Sequence, residues 1–234
     1  MTIRAVLFDF NGVLLDDEEV HFELFRRVLS QEGIELSRED YYREYLGLDD
    51  RGCLLAVHER ENRRPDPDAL DRLIRRKADL YQDRMRRGGF PFFPGAVELL
   101  RVTTGRIPVG IVSGALRTEI EKALESVDLR SRVSPVIGAE DAASKPDPEG
   151  YLLGLEGLRS RVDRALPAER VLAVEDSPAG VAAARGAGLQ VVGVAQTYDS
   201  ESLSRAHRVV ERVGEIGALL TDSALDYPES SAGS

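Results

Sequence analysis

The sequence is short of several residue types that mark specialised classes of protein. One residue of 234 is cysteine, Cys53, which excludes an intrachain disulfide and a zinc site built from cysteines, and which is typical of a reducing compartment. No apolar run approaches the roughly 20 residues of a membrane span, and Asp9 comes too early for a signal peptide. We therefore expect a cytoplasmic protein without a membrane partner.

Positive charge is also in short supply. The chain has 31 basic and 41 acidic residues and a net charge of −10, which argues against nonspecific binding to nucleic acid. Only Lys77, Lys122 and Lys145 among the basic residues are lysine, and a lysine kept amid so much arginine suggests that its compact ammonium group is needed. With 42% hydrophobic and 31% charged residues, the composition is that of a globular protein with one core, or with a core and a smaller inserted unit.

Short apolar runs alternate with amphipathic segments through the second half of the chain. The apolar runs predict strands buried on both faces at residues 4–10, 107–113, 133–139, 170–176 and 189–195. Helical patterns lie between them at residues 95–104, 116–127, 147–162 and 178–188. This alternation predicts an α/β fold with a parallel sheet covered by helices on both faces, in which a ligand lies beyond the carboxyl ends of the strands.

Residues 15–90 interrupt the alternation. They contain no convincing strand, and helical patterns cover residues 17–31, 38–46, 51–61 and 68–86. We predict that this segment is a helical domain inserted into a core formed by residues 1–14 and 91–225, and that residues 226–234 are a flexible tail.

Reactive side chains occur where the predicted strands end. They are Asp9 and Asn11 after the first strand, Ser113 after the second, Glu175 and Asp176 after the fourth, and Lys145 in a loop before a helix. Each of them alone has an ordinary role as a helix cap, a turn residue or a solvated side chain. Together they indicate one crevice, because a parallel sheet brings the loops at its carboxyl edge together.

The chemistry of this set favours a metal ion and a phosphoryl group. Three carboxylates in one crevice raise each other's pKa unless a cation lies among them, and Mg²⁺ prefers such oxygen ligands. A serine hydroxyl and a lysine ammonium would hold the negative charge of a phosphoryl group, and a free carboxylate would serve as a nucleophile. The residues alone therefore predict phosphoryl chemistry at this edge of the sheet.

Four segments carry a family resemblance: "DFNGVL", "VSGA", "SKPDPEGY" and "AVEDSPAGVAAARGAG". In this order they resemble the four motifs of the haloacid dehalogenase superfamily, in the branch of phosphoglycolate phosphatase and β-phosphoglucomutase that has a small helical cap. The resemblance implies a Rossmann-like doubly wound core, a cap at residues 15–90, dependence on Mg²⁺ and hydrolysis of a small phosphorylated metabolite. The oligomeric state stays open between a monomer and a small homo-oligomer.

By position, the resemblance also assigns roles in the site. It implies that Asp9 is the nucleophile and a metal ligand, and that the backbone carbonyl of Asn11 and the side chain of Asp176 also bind the metal. Glu175 would lie beside the ion or act through water. Ser113 and Gly114 would contact the phosphate, and Lys145 would neutralise charge. In the cap, His21 and Lys77 are candidate substrate contacts, and Arg51 is a weaker candidate for an anion contact. The alternative for His21 and Lys77 is an ordinary cap surface.

Asn11 departs from the family pattern. The residue two positions after the nucleophile is usually a second aspartate, which protonates the leaving group and then activates water, and an amide does neither. General acid–base catalysis contributes roughly 10²–10⁴ in rate, or about 3–5 kcal/mol of barrier, so we expect a slowed catalyst. A substrate with a good leaving group would avoid much of this loss, and Asn11→Asp should help poor leaving groups most.

Three functions stay open from the sequence. The first is a Mg²⁺-dependent phosphohydrolase that works through an aspartyl-phosphate, with a modest rate, an activated substrate or an acid such as His21 supplied by the cap. The second is a catalytically weak protein that binds phosphorylated ligands in a regulatory role. The third, ranked lowest, is a phosphoryl-transfer mutase, because mutases depend on the missing acid.

Overall fold

The protein has a six-stranded parallel sheet, seen in a computed structural model that describes residues 2–161 and 163–221. The strands are β1 Ala5–Phe8, β2 Val109–Val112, β3 Val133–Ile137, β4 Val171–Glu175, β5 Gln190–Val194 and β6 Arg208–Val210. They lie in the order β3-β2-β1-β4-β5-β6, and each neighbouring pair is parallel. The predicted α/β fold is confirmed, whereas the predicted tail at residues 226–234 lies outside the described residues.

Helices follow the strands and also fill the stretch between β1 and β2. In the described part of the chain they are α1 Glu18–Ser30, α2 Arg38–Asp40, α3 Asp50–Arg60, α4 Pro67–Gly88, α5 Ala96–Thr104, α6 Arg117–Ser126, α7 Glu149–Arg161, α8 Pro178–Gly186 and α9 Ile216–Thr221. A π-helical turn at Tyr41–Tyr45 continues α2. Among these described helices, none has the combination of length and apolar composition that crossing a membrane requires.

The sheet is buried on both faces because its central strands are apolar throughout. Successive side chains of a strand point to opposite faces, so in β1 Val6 and Phe8 join one hydrophobic cluster while Ala5 and Leu7 join the other. All four are fully buried. The sequence does not predict β6, because three residues that begin with the exposed Arg208 carry too little apolar pattern.

The order of the strands reverses beside β1. The chain runs from β1 through β2 to β3 on one side, and then crosses to β4, β5 and β6 on the other. In open α/β sheets a ligand binds at such a reversal, beyond the carboxyl ends of the strands. The register pairs Phe8 with Val174, so Asp9 and Glu175 follow as neighbours at this edge.

The segment that contains α1 to α4 has a hydrophobic cluster of its own, which includes the buried side chains of Phe25, Leu54 and Leu70. Asp66 caps α4 by accepting a hydrogen bond from the Ala69 amide at 2.9 Å, and Pro67 opens the helix. These helices coincide with the four helical patterns that the sequence predicts before residue 90. The exact bounds of the inserted domain, residues 15–90, stay a prediction.

Candidate active site

β1 delivers Asp9 to the carboxyl edge of the sheet. The Asp9 amide donates a hydrogen bond to the Val174 carbonyl at 2.9 Å, which extends the pairing of β1 with β4 by one residue. Gly12 then turns the chain with a φ of +75°, a conformation that favours glycine. A Cβ at Gly12 would lie 1.9 Å from Asp176 Oδ2, so this turn lies directly against a carboxylate from the adjacent strand.

Asp9, Glu175 and Asp176 form a buried acidic cluster. One oxygen atom from each lies within 4.8 Å of the other two. Lys145 reaches the cluster from the loop before α7, and its Nζ lies 2.8 Å from Asp9 Oδ1 and 2.6 Å from Glu175 Oε1. The structure therefore brings together four of the residues that the sequence assigns to one crevice.

These carboxylates are difficult to ionise together. Burial raises the pKa of Asp9, Lys145 lowers it and Glu175 raises it, and together these effects bring it to about 6. Burial and the charges of Asp9 and Glu175 raise the pKa of Asp176 well above its ordinary value. The cluster thus has more negative charge than one lysine neutralises, and its oxygen donors fit a hard divalent cation such as Mg²⁺.

Glu175 is the carboxylate most fully engaged by protein donors. Its Oε1 accepts hydrogen bonds from Lys145 at 2.6 Å and from the Tyr151 hydroxyl at 2.7 Å. Its Oε2 accepts bonds at 3.2 Å from the Ser177 hydroxyl and from the Asp176 amide. Because both oxygens are occupied in this way, the geometry favours an indirect role for Glu175 over direct contact with an ion.

Ser113 and Gly114 lie where β2 ends. The Ser113 amide donates to the Ile137 carbonyl at 3.0 Å, and its hydroxyl lies 3.5 Å from Asn11 Oδ1. Gly114 is exposed, and a Cβ there would lie 3.7 Å from the Cβ of Asp49 in the loop before α3. Both residues therefore lie at the same edge as Asp9, close to the loop that precedes α3.

Asn11 is bonded to Asp17, the residue before α1. The Asn11 Nδ2 donates to Asp17 Oδ2 at 2.7 Å and lies 3.3 Å from His21 Nε2. The same Asp17 oxygen accepts from the Tyr81 hydroxyl at 2.5 Å and contacts His21 Nε2 at 3.2 Å. Burial acts to raise the pKa of Asp17, but the charge of His21 and these hydrogen bonds lower it to about 2. Asp17 is therefore ionised, although it is fully buried.

His21 and Lys77 lie beside this pair. The Lys77 Nζ lies 2.6 Å from His21 Nδ1 and 2.5 Å from Asp50 Oδ1. Nδ1 accepts from the Lys77 ammonium only in the neutral ring, whose proton then lies on Nε2 and faces Asp17, whereas in the protonated ring Lys77 would bond to Asp50 alone. Burial and Lys77 act to lower the pKa of His21, but Asp17 outweighs them and raises it. Two predicted cap residues thus meet next to Asn11.

Arg51 lies apart from these contacts. It forms an exposed ion pair with Asp71 of α4. The loop before α3 instead touches the core through Asp49, which accepts a hydrogen bond from the Ser144 hydroxyl. The role of Arg51 as an anion contact stays a prediction, and it would require Arg51 to leave Asp71.

Comparison with known proteins identifies the family. The model of the haloacid dehalogenase-like hydrolases matches residues 6–194. The chain belongs to this family. It is 33% identical over 238 residues to protein CbbY of Rhodobacter capsulatus, covering 97% of this chain and 100% of that protein. It is 31% identical over 212 residues to a phosphorylated carbohydrates phosphatase of Thermotoga maritima, covering 88% and 93%.

A solved structure supports the same assignment at the level of the fold. The β-phosphoglucomutase of Clostridium difficile has a TM-score of 0.78 and 22% identity to this chain, with coverage of 92% and 93%. The family, its branch and the hydrolase class predicted from the sequence are confirmed.

Sequence reasoning did not single out Asp17, Tyr81 or Tyr151. Asp17 and His21 are four residues apart at the start of α1, so they share a helix face, and this spacing was the available signal. Tyr81 and Tyr151 have no such local signal, because each bonds to a carboxylate that is distant in sequence. Within a haloacid dehalogenase-like hydrolase, the contacts of Asn11 are thus the part of the site that the family motifs do not describe.

Proposed function

We propose that the chain is a Mg²⁺-dependent phosphohydrolase that acts on a small phosphorylated metabolite, such as a sugar phosphate, through an aspartyl-phosphate on Asp9. The observation that carries this proposal is the placement of Asp9, which ends β1 within 4.8 Å of Glu175 and Asp176 and 2.8 Å from the Lys145 ammonium. The similarity to a phosphatase of phosphorylated carbohydrates supports the substrate class.

Asp9, Asp176 and the backbone carbonyl of Asn11 would hold the Mg²⁺ ion. When bound, the ion supplies positive charge beside the phosphoryl group and relieves the repulsion among the carboxylates. Glu175 is fully buried behind them and keeps the Lys145 ammonium 2.8 Å from Asp9. Lys145 would therefore neutralise charge on the nucleophile and on the phosphoryl oxygens.

Asp9 attacks phosphorus. One of its carboxylate oxygens forms a bond to phosphorus while the bond to the leaving oxygen breaks, and Ser113 and Lys145 hold the phosphoryl oxygens. A water molecule then attacks the phosphorus of the aspartyl-phosphate, which releases inorganic phosphate and regenerates Asp9. Over the two steps the leaving oxygen gains one proton and the attacking water loses one, so the sum is hydrolysis.

His21 is the candidate for the proton that Asn11 does not supply. Its Nε2 lies 3.3 Å from Asn11 Nδ2, and Asp17 raises its pKa against burial and the Lys77 ammonium. A leaving group that needs no proton, such as that of an acyl phosphate, would make this transfer unnecessary in the first step. The dependence of the rate on the leaving group therefore reports on how the site supplies the proton.

A panel of phosphate donors tests the proposal. Purified protein with Mg²⁺ is given acetyl phosphate, an aryl phosphate and a sugar phosphate, and release of inorganic phosphate is measured. We expect turnover to fall as the leaving group becomes more basic, and Asp9→Asn to abolish it, whereas Asp16→Asn, at an exposed neighbour, retains it. His21→Asn should slow the sugar phosphate more than acetyl phosphate. Negligible turnover of every donor would refute the proposal.

A second candidate function is binding of phosphorylated ligands with little catalysis. Asn11 favours it, because an amide replaces the usual acid and base at the position beside the nucleophile. Calorimetric titration with inorganic phosphate in the presence of Mg²⁺ separates the two functions, since this candidate requires binding of phosphate without turnover of the panel.

A further inference from the structure

We propose that Asn11 and Asp17 are a matched pair of amide and carboxylate, in which Asp17 is the positioning residue that turns the Asn11 carbonyl oxygen towards the crevice. The inference rests on the proposed phosphohydrolase function, because it assigns a role to the side chain that replaces the usual acid. Its consequence is that a carboxylate at residue 11 is incompatible with Asp17.

The orientation of Asp17 is unusual for its place in the helix. Asp17 is the N-cap residue of α1, where an aspartate ordinarily accepts a hydrogen bond from the first turn, a contact that contributes roughly 1 kcal/mol. Asp49 and Asp66 form this bond in front of α3 and α4, but Asp17 does not. Its carboxylate is turned to Asn11 and Tyr81 instead, at 2.7 and 2.5 Å.

The contact determines which way the Asn11 amide points. Asp17 Oδ2 already accepts the hydrogen bond of the Tyr81 hydroxyl, so it acts as an acceptor and the donor Nδ2 of Asn11 faces it, at 2.7 Å. The Oδ1 of Asn11 then faces the Ser113 hydroxyl, 3.5 Å away. Asn11 therefore presents an acceptor at the carboxyl edge of the sheet, where it can orient a water molecule without removing its proton.

An aspartate at residue 11 would meet Asp17 directly. It has the shape of asparagine, so one of its oxygens would take the place of Nδ2, 2.7 Å from Asp17 Oδ2. The pair would lose a charge-assisted hydrogen bond and gain a repulsion between like charges. Asp17 has no alternative contact to turn to, because it is fully buried and its Oδ1 has no hydrogen-bond partner among the described residues. The rescue by Asn11→Asp that the sequence predicts should therefore fail unless Asp17 also changes.

A double-mutant cycle tests the pair with Asn11→Asp, Asp17→Asn and the double variant. The free energy of unfolding is measured in urea, and kcat and KM are measured for a sugar phosphate and for acetyl phosphate. In the double variant the two groups exchange places, so their hydrogen bond forms with donor and acceptor reversed. We expect Asn11→Asp to be less stable than the wild type and no faster. The double variant should be more stable than Asn11→Asp. Because it has an acid at residue 11, its kcat on the sugar phosphate should be about tenfold or more higher than that of the wild type, with KM little changed.

Asp16→Asn combined with Asn11→Asp is the matched control, because it makes the same chemical change at the exposed neighbour of Asp17. Adding Asp16→Asn should raise neither the stability nor the kcat of Asn11→Asp. The proposal is overturned if Asn11→Asp alone is as stable as the double variant, or if it turns over the sugar phosphate faster than the wild type does. If the wild type and every variant are inactive, but the effects of Asn11→Asp and Asp17→Asn on the free energy of unfolding are not additive, the proposed function is wrong and the proposed pair is supported. If the proteins are active and the two effects are additive, the proposed pair is wrong and the proposed function is supported.

Discussion

Replacing Lys145 by methionine should destabilise the protein far more than the same change at an exposed lysine. Methionine keeps the length of the side chain and removes its charge. The Lys145 Nζ lies 2.8 Å from Asp9 Oδ1 and 2.6 Å from Glu175 Oε1, and within the described residues no other ion pair involves the acidic cluster of Asp9, Glu175 and Asp176. The variant would therefore leave three buried carboxylates without a positive partner.

The size of the effect follows from this geometry. Removing one partner of a buried ion pair costs about 3–5 kcal/mol, because the remaining charge is left uncompensated. Since one ammonium serves two carboxylates here, we expect the upper part of that range. For a chain of this length, each kcal/mol corresponds to about 2–4 °C in Tm, so the Tm should fall by about 8–20 °C.

Thermal unfolding followed by circular dichroism, in EDTA and again in Mg²⁺, measures the loss. Lys122→Met is the matched control, because Lys122 is exposed and, among the described residues, bonds only to the Gln82 side-chain oxygen, at 2.6 Å, so its change should stay within about 0.5 kcal/mol. Mg²⁺ should recover part of the Lys145→Met loss, since the ion brings positive charge to the same carboxylates. Equal changes in Tm for the two variants would refute the idea that Lys145 compensates the buried charges.

Two further predictions concern the same cluster. In EDTA, stability should fall as pH rises from about 4 through about 6. The pKa of Asp9 is about 6 in the folded protein against an ordinary 3.8, so the folded state keeps a proton that the unfolded chain has lost, and Asp9 contributes about 3 kcal/mol to the fall. The raised pKa of Asp176 adds a fall of the same sign. Urea titrations across this range check it: Asp9→Asn should make the fall smaller, and saturating Mg²⁺ should flatten the profile. Mg²⁺ should raise the Tm of the wild type, and Gly12→Ala should abolish this increase, because the new Cβ would lie 1.9 Å from Asp176 Oδ2. Gly33→Ala, with a φ of +69° and no atom of the described part of the chain within 4 Å of the new Cβ, isolates the strain of a positive φ and should keep the Mg²⁺ response.

The residues at the strand ends were predictable because their placement is a local property. An apolar run that ends in Asp9 or Glu175 marks the end of a strand, and a parallel sheet brings such ends to one edge whatever the details of packing. Lys145 needed the further signal of being one of three lysines in an arginine-rich chain. The position of Asp9 relative to Glu175 therefore followed from topology alone.

The surroundings of Asn11 were not predictable in this way. Tyr81 reaches Asp17 across 64 positions of sequence, and it does so because α4 packs against α1. The sequence also gives Asp17 an ordinary alternative as a helix cap, and nothing local indicates that its carboxylate turns away from α1. Contacts of this kind depend on how helices pack, which hydrophobic periodicity does not encode.

The value of Asn11 to the enzyme depends on Asp17 more than on the motif it departs from. Taken alone, an amide at residue 11 means that a carboxylate has been lost from the site. With Asp17 2.7 Å away, the pair of positions contains one carboxylate and one donor, and the carboxylate lies on the segment that leads into α1. Since Asp17 also bonds to Tyr81 of α4, the orientation of the Asn11 amide near Asp9 is coupled to the packing of α1 on α4. A change that shifts α1 should therefore alter the proton transfers of this site without touching any of the four family motifs.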